Sequence, residues 1–366
     1  MKTRFCFVTE ADLDRKGVGG VITDQQMLRC LRKSGDVDVI YLKRIRLRST
    51  FLALIVFFFQ ILKSFSKPYH AYFSRGLITS FFLVSLNSFT LRSRKIVHRA
   101  LSVPLGSREV RFLRYGRMES LLRHTLFVFL ERIVYSRVDI VTVAADMYRR
   151  ELIKAGVDGE KVCIMNFTAG DEFFDQPLKG DAKPVFRFCY VGGFHRYQDL
   201  QPMLEAFETF SKKRKDVELV LVGEGPQRPF LEKEATKRRL RNSLKFAGKI
   251  SHTSLPDFLS KIDCFVSLTR KPGLSISIVE AAAAGKPIIA FAPKNSLSYS
   301  SYFTHKKEIY LVHSVSPEEI ADAMTRLYED SDLRGTLGHG ARKVAERYFS
   351  QEVAQVQLEQ LLRKVT

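Results

Sequence analysis

The stretch of this sequence with the clearest chemical pattern runs from Cys264 to Phe291 and reads CFVSLTRKPGLSISIVEAAAAGKPIIAF. It predicts a strand, a glycine-bearing loop, a helix that stops at Gly285, and a second strand. A loop that leads from the carboxyl end of a strand into a helix offers free backbone amides and the positive end of the helix dipole to an anion. Gly273 to Ser277 is therefore a candidate phosphate site, in which Gly273 allows close approach of the backbone and the two serine hydroxyls can donate.

The same residues also fit a purely structural interpretation. Ser277 and Glu280 have the Ser-x-x-Glu spacing of a capping box, in which the two side chains satisfy amides at the start of the helix. From residue types alone, a helix cap and a ligand site are equally good interpretations of this stretch.

Size and composition describe a folded protein with more than one core. The chain has 366 residues, 45% of them hydrophobic and 27% charged, which suits two α/β domains of ordinary size separated by a cleft. Its five cysteines stand singly, so we expect buried, reduced thiols and no metal cage. The first ten residues resemble a strand and lack the regions of a signal peptide, which favours a cytoplasmic protein.

Positive charge is concentrated in the first half of the chain. The formal net charge is +20, and residues 39–108 contain twelve Lys or Arg and no Asp or Glu. The apolar run Phe51 to Leu62 within this region is too short for a bilayer, which needs about 20 apolar residues. It is either a buried helix of the first domain or an apolar element that lies, with its basic flanks, on an anionic membrane surface. A nucleic-acid partner is not expected, because no nucleic-acid-binding motif accompanies the charge.

Short apolar runs alternate with helical stretches along the whole chain, which predicts α/β domains with parallel, doubly wound sheets. The predicted strands are Arg4 to Thr9, Val37 to Leu42, Lys95 to His98, Val138 to Val143 and Val162 to Met165 in the first half, and Phe186 to Val191, Glu218 to Val222, Leu244 to Ala247, Cys264 to Leu268, Pro287 to Phe291 and Ile309 to Val312 in the second. We expect an N-terminal Rossmann-like domain over 1–172, a linker over Asp171 to Pro184, a C-terminal Rossmann-like domain over 185–347, and a last helical segment, 348–366, that can pack back across the cleft.

The region around Glu280 resembles the signature of the family 4 glycosyltransferases (glycosyl transferases group 1). That pattern is a glutamate followed by Ala-x-Ala-x-Gly-x-Pro-Val-Ile, and here Glu280 precedes Ala-Ala-Ala-Ala-Gly-Lys-Pro-Ile-Ile. Val185 to Phe349 carries the resemblance strongly, and the first half carries it more weakly. Further matching segments are Val191-Gly192-Gly193, Leu219 to Pro226, Phe246 to Lys249, Gly17 to Gly20, His98, Asp139 to Val143 and Asn166 to Phe174. The resemblance implies the GT-B fold, two Rossmann-like domains that face each other across a cleft.

The resemblance implies a role for each matching residue. Glu280 would hold the ribose hydroxyls of a nucleotide, which an ionised carboxylate accepts well. Gly19 and Gly20 would form a turn that lets the backbone approach donor phosphate and acceptor. His98 would lie near the transferred sugar, and a structural buried histidine is the alternative. The implied donor-binding residues besides Glu280 are Gly192, Gly223, Gly248, Lys249, Gly273, Leu274, Ser275 and Ile276.

Two positions depart from the family pattern. The first glutamate of the family pair, eight residues before Glu280, is replaced by Pro272. The arginine and lysine that clamp the pyrophosphate are absent from the Gly192-Gly193 segment. Arg196, Arg270 or Lys271 could supply the missing charge, and an ordinary surface role is the alternative for each.

The resemblance also implies the reaction. Family 4 enzymes transfer a sugar from a nucleoside diphosphate, here UDP or GDP, and retain its anomeric configuration. We expect a glycan or lipid-linked glycan acceptor in polysaccharide or lipopolysaccharide biosynthesis, no metal or other cofactor, and a location in the cytoplasm with the basic region at the inner membrane surface. The alternative is an inactive binding or scaffold protein with the transferase fold.

Overall fold

The computed structural model describes residues 3–13, 19–42, 50–90, 94–100, 117–178, 184–270, 273–294, 296 and 299–365. These residues form two compact units. The first contains the described residues before Thr168 and those after Gln351, and the second is built from Thr168–Gln351.

The first unit is organised around a parallel sheet with the strand order β2-β1-β3-β4-β5-β6. Its strands are β1 (Arg4–Thr9), β2 (Asp36–Tyr41), β3 (Ala71–Arg75), β4 (Lys95–Ala100), β5 (Ile140–Val143) and β6 (Val162–Ile164). The helices between them are α1 (Gly19–Ser34), α2 (Thr50–Ser64), α3 (Leu77–Phe89), α4 (Arg117–Arg137) and α5 (Asp146–Lys154).

The second unit contains a parallel sheet with the strand order β12-β11-β10-β7-β8-β9. Its strands are β7 (Phe186–Val191), β8 (Val217–Val222), β9 (Leu244–Gly248), β10 (Cys264–Ser267), β11 (Ile288–Phe291) and β12 (Tyr310–Val312). Its helices are α6 (Asp171–Phe174), α7 (Leu200–Ser211), α8 (Arg228–Lys237), α9 (Leu255–Ser260), α10 (Ile276–Ala283), α11 (Pro317–Glu329) and α12 (Ser331–Tyr348). In each sheet, later strands lie on both sides of the strand that comes first in sequence, β1 or β7. The predicted doubly wound α/β fold is therefore confirmed.

The last helix, α13 (Gln351–Val365), completes the core of the first unit. Leu358 and Leu361 are buried in one cluster with Phe5 and Phe7 of β1. The backbone amide of Asn166 also donates to the side-chain oxygen of Gln357 on this helix, over 3.1 Å.

The segment predicted as a linker is packed within the second unit over the part that the structure describes. Asp171–Phe174 forms α6, and Phe173 is fully buried. The guanidinium of Arg342 on α12 donates to the backbone oxygens of Phe174 and Gln176. Regular packing therefore continues over residues 171–176 of the predicted linker.

The apolar run Phe51 to Leu62 lies in α2, which buries only part of its surface. Phe57 and Ile61 are buried, whereas Phe59 and Leu62 are exposed. No helix within the described ranges is long and apolar enough to cross a membrane.

Candidate functional site

The second sheet has a topological switch point between β7 and β10. The chain leaves β7 toward β8 on one side of the sheet and later returns to place β10 on the other side. Ligands of open α/β sheets bind outside the carboxyl ends of the strands at such a point. The loops after β7 and β10 meet there, since the amide of Arg270 donates to the backbone oxygen of Tyr197 over 2.8 Å.

Three glycines lie at the carboxyl ends of β7, β8 and β9. The amide of Gly223 donates to the oxygen of Gly248 over 2.7 Å, and that of Gly192 donates to the oxygen of Val222 over 3.0 Å. Gly223 has a φ of +135°, and a Cβ built on it would lie 1.8 Å from the oxygen of Gly192. Only glycine fits at Gly223, so backbone rather than side chains forms this surface.

The candidate phosphate loop leads into the N-terminus of α10. Gly273 has a φ of +95°, which turns the chain, and Leu274 is buried. Ser275 is the N-cap residue, because its hydroxyl accepts a hydrogen bond from the amide of Ile278 over 3.3 Å. The capping box considered for Ser277 and Glu280 is therefore absent, and Glu280 has a different partner.

Glu280 is a buried carboxylate, with only 2% of its surface exposed. Its Oε1 lies 2.8 Å from Nε2 of His252, a residue in the short 3₁₀ turn His252–Ser254 after β9. The His252 ring in turn packs against Phe173, with 5.4 Å between ring centroids. Burial raises the pKa of the Glu280 carboxyl, His252 opposes that rise, and the nearby Glu172 adds to it. His252 thus favours the ionised form that would bind hydroxyl groups.

The cations expected to replace the family's phosphate clamp lie in several environments. Arg270 pairs with Asp199, whose backbone is left-handed with a φ of +48°. Burial raises the pKa of the Asp199 carboxyl and Arg270 opposes that rise. Arg196 is exposed in the 3₁₀ turn after β7, and Lys249 is exposed directly after β9. Lys271 and Pro272 lie outside the described residues.

Gly19 and Gly20 are the first two residues of α1 in the first unit. His98 lies in β4, where its Nδ1 is 2.6 Å from the hydroxyl of Ser80, and that hydroxyl is 2.6 Å from the hydroxyl of Ser74. Burial lowers the pKa of His98 to about 4. His98 is therefore buried and hydrogen-bonded, as expected of a histidine with a structural role.

Sequence reasoning missed a polar cluster at the carboxyl ends of β1 and β3. Asp24 is fully buried, and its Oδ2 accepts hydrogen bonds from Thr9 over 2.8 Å and from Arg75 over 2.6 Å. Glu10 accepts from the amide of Thr79 over 2.9 Å. The position of this cluster could have indicated it, because the order of the strands in the first sheet also reverses beside β1, which makes a second topological switch point.

Acid is expected to destabilise the first unit through His98. The pKa of this imidazole is about 4 when folded, against about 6.5 in an unfolded chain, so the folded state favours the neutral ring. The resulting stability is complete above pH 6.5 and falls as the pH decreases toward 4, by about 2 kcal/mol between pH 7 and pH 5. Urea unfolding followed by circular dichroism at the two pH values measures this change.

The variant His98→Leu should reduce that pH dependence, whereas the exposed His70→Gln should keep it. An equal pH dependence in wild type and His98→Leu would show that a different group is responsible.

Comparisons with known proteins relate part of this chain to glycosyltransferases. Residues 171–344, just under half of the chain, match the family model of the glycosyl transferases group 1. The alpha-D-kanosaminyltransferase of Streptomyces kanamyceticus is 26% identical over 247 residues, which are 64% of this chain and 63% of that protein. The chain thus matches less than two thirds of that relative's length. The lipopolysaccharide core biosynthesis glycosyltransferase LpsD of Rhizobium meliloti is 31% identical over 141 residues, 38% of this chain and 40% of LpsD.

Solved structures with the same architecture cover all or nearly all of the chain. The sucrose-phosphate synthase of Thermosynechococcus elongatus has a TM-score of 0.81 at 18% identity and covers 100% of this chain and 99% of its own. The Anabaena protein HepE, in complex with UDP and glucose, has a TM-score of 0.74 at 14% identity and covers 98% and 99%. The chain therefore shares the fold of these structures, with two doubly wound α/β units of the kind found in GT-B proteins, and its residues 171–344 are similar to the glycosyl transferases group 1.

Proposed function

We propose that this protein is a retaining glycosyltransferase that moves a sugar from a nucleoside-diphosphate sugar to a glycan or lipid-linked glycan. The observation that carries the proposal is the buried carboxylate of Glu280, held by His252 beside a glycine-lined switch point. Within residues 171–344, which match the glycosyltransferase family model, this arrangement suits the ribose and diphosphate of a nucleotide.

Each part of the donor has a matching surface in the second unit. Glu280 accepts hydrogen bonds from ribose hydroxyls, and the backbone at Gly192 and Gly223 lets a diphosphate approach closely. The base lies against Gly248 and Lys249. UDP is our first candidate and GDP the second, since a protein of the same fold is known in complex with UDP.

The main catalytic requirement is to stabilise negative charge on the leaving diphosphate. Preorganised amides and cations do this most effectively when they point at the oxygen on which charge develops. We assign that role to the amides at Gly273 to Ser275, at the start of α10, together with Arg196 or Arg270, and we invoke no metal ion or other cofactor. Gly19, Gly20 and His98 are assigned to the acceptor side of the reaction.

We infer the acceptor class from a named relative. One named relative, LpsD, acts in lipopolysaccharide core biosynthesis, which favours a glycan or lipid-linked glycan acceptor. All five cysteines are free thiols, which suits a reducing cytoplasmic compartment. The alternative of an inactive scaffold rests on Pro272 and the lost clamp, and none of the relatives reported above supports it.

Calorimetric titration with UDP, GDP, ADP and their common sugar conjugates tests the proposal. We expect one nucleotide and its sugar conjugate to bind. The accepted donor should then yield a product with the donor's anomeric configuration, as read from NMR coupling constants. Absence of binding by every nucleotide would overturn the donor assignment, and an inverted product would overturn only the retaining assignment.

A further inference from the structure

Helix α2 presents apolar side chains on the side that faces away from the protein. Its buried side chains, Phe57, Ile61 and Ser64, follow one another at helical spacing and form a single narrow face. Phe59, exposed by 61%, and the exposed Val56 and Leu62 lie outside that face. A helix that is hydrophobic on all sides is ordinarily buried on all sides. We therefore expect the outer face of α2 to contact an apolar environment.

Helix α3 extends this apolar surface. The Phe58 ring of α2 packs edge-on against the Phe82 ring of α3, with 5.0 Å between centroids. Phe89 lies seven residues, or two turns, after Phe82 on the same face of α3 and is 89% exposed. Two neighbouring helices therefore contribute outward-facing aromatic side chains, and Phe129 of α4, which packs against α3, is also 60% exposed.

Helices α2 and α3 contribute no negative charge to this surface. Residues 39–108, which include all of α2 and α3, contain no Asp or Glu. Arg94 and Arg99 are buried within the unit, but Lys63 is exposed in the last turn of α2. In the sequence, Lys43, Arg44, Arg46 and Arg48 come directly before the helix. An apolar face on helices that lack acidic side chains and carry an exposed lysine is complementary to lipid headgroups with negative charge above an apolar interior.

We propose that the outer face of α2 and α3 docks the protein on an anionic lipid bilayer, with Phe59 and Phe89 inserted at the level of the headgroups. The proposal does not depend on the transfer reaction, because these side chains belong to the first unit and none of them is assigned to donor or acceptor chemistry. The two faces of α2 then have different roles, because Phe57 packs in the protein core and Phe59 contacts lipid.

Sedimentation with vesicles tests this assignment. Wild-type protein should pellet with phosphatidylcholine vesicles that contain phosphatidylglycerol and pellet less at high salt, because salt screens the cationic contribution. The double variant Phe59→Asp, Phe89→Asp should lower the partition coefficient roughly tenfold or more, since two exposed aromatic side chains lose their apolar burial. Phe230→Asp is the matched control, because Phe230 is 41% exposed on α8 of the second unit.

The absence of tryptophan from the chain allows a direct local measurement. In Phe59→Trp the single indole should shift its emission to shorter wavelength when anionic vesicles are added, and brominated lipids should quench it. The control Phe230→Trp should show neither effect. Because both original residues are exposed, both variants should keep the wild-type circular dichroism spectrum.

Two results would overturn the proposal. One is equal vesicle binding by wild type, the double variant and the Phe230→Asp control. The other is self-association in the analytical ultracentrifuge that the double variant abolishes, without vesicle binding by wild type, since the surface would then bind a second copy of the chain.

Discussion

Glu280→Ala is expected to weaken nucleotide binding by at least about 100-fold. A hydrogen bond to an ionised carboxylate contributes about 1.5–3 kcal/mol, and two ribose hydroxyls lose this partner in the variant. Calorimetric titration with the nucleotide that binds wild type measures the loss. The comparison with Glu280→Gln shows how much depends on charge, because glutamine keeps the volume of the side chain.

Glu218→Gln is the matched control for this experiment. Glu218 is also a buried carboxylate of the second unit, but it lies near the start of β8 and pairs with Arg187 over 2.8 Å. Its loss should leave nucleotide affinity unchanged as long as the unit stays folded. Wild-type affinity in Glu280→Ala would contradict the site assignment, and equal losses in both variants would indicate a general effect on folding.

The same carboxyl should make nucleotide affinity depend on pH. Burial raises the pKa of Glu280, and only its ionised form accepts both hydrogen bonds, so affinity should fall as the pH falls through that pKa. His252→Gln removes a group that opposes the rise, so the decline in affinity should begin at a higher pH than in wild type. A merely structural His252 would change affinity equally at every pH.

Gly223→Ala is expected to destabilise the second unit by more than about 3 kcal/mol. A side chain at a φ of +135° is strained by about 1–3 kcal/mol, and the added Cβ would also lie 1.8 Å from the backbone oxygen of Gly192. The melting temperature of a unit of this size should fall by at least about 6–12 °C. Thermal unfolding followed by circular dichroism measures it.

The variant Gly248→Ala separates the cost of backbone strain from the cost of steric overlap. Gly248 also has a positive φ, of +66°, but the nearest atom to its added Cβ would be 3.5 Å away. Its alanine variant should lose only about 1 kcal/mol. Similar melting temperatures for the two variants would show that the loops at Gly192 and Gly223 move apart without a loss of unfolding free energy.

Most of the sheet could be predicted because buried parallel strands are short apolar runs. The run Phe186 to Val191 coincides with β7 at both ends. The strand β3 was missed because Ala71–Arg75 ends in Ser74 and Arg75, which leaves an apolar run of only three residues. The strand β3 is buried because it lies between β1 and β4 in the sheet. Local composition does not predict such a position.

From residue types alone, without the family resemblance, the candidate site was predictable only where its residues are close together in sequence. Gly273, Ser275 and Glu280 lie in one stretch whose pattern indicates a loop and a helix. His252 lies 28 residues before its partner Glu280, and Asp199 lies 71 residues before Arg270. Loops after different strands meet only when the sheet forms, so these pairs depend on the fold rather than on spacing.

The placement of α13 has a consequence for synthesis on the ribosome. Leu358 and Leu361 belong to the core around Phe5 and Phe7, yet the whole of the second unit is translated between them. At about 5–20 residues per second, the first unit waits roughly 10–40 s for the helix that completes it. The described residues of the second unit all come from Thr168–Gln351, so this unit can mature earlier. The N-terminal half of the nascent chain is therefore the part that we expect to need protection by chaperones.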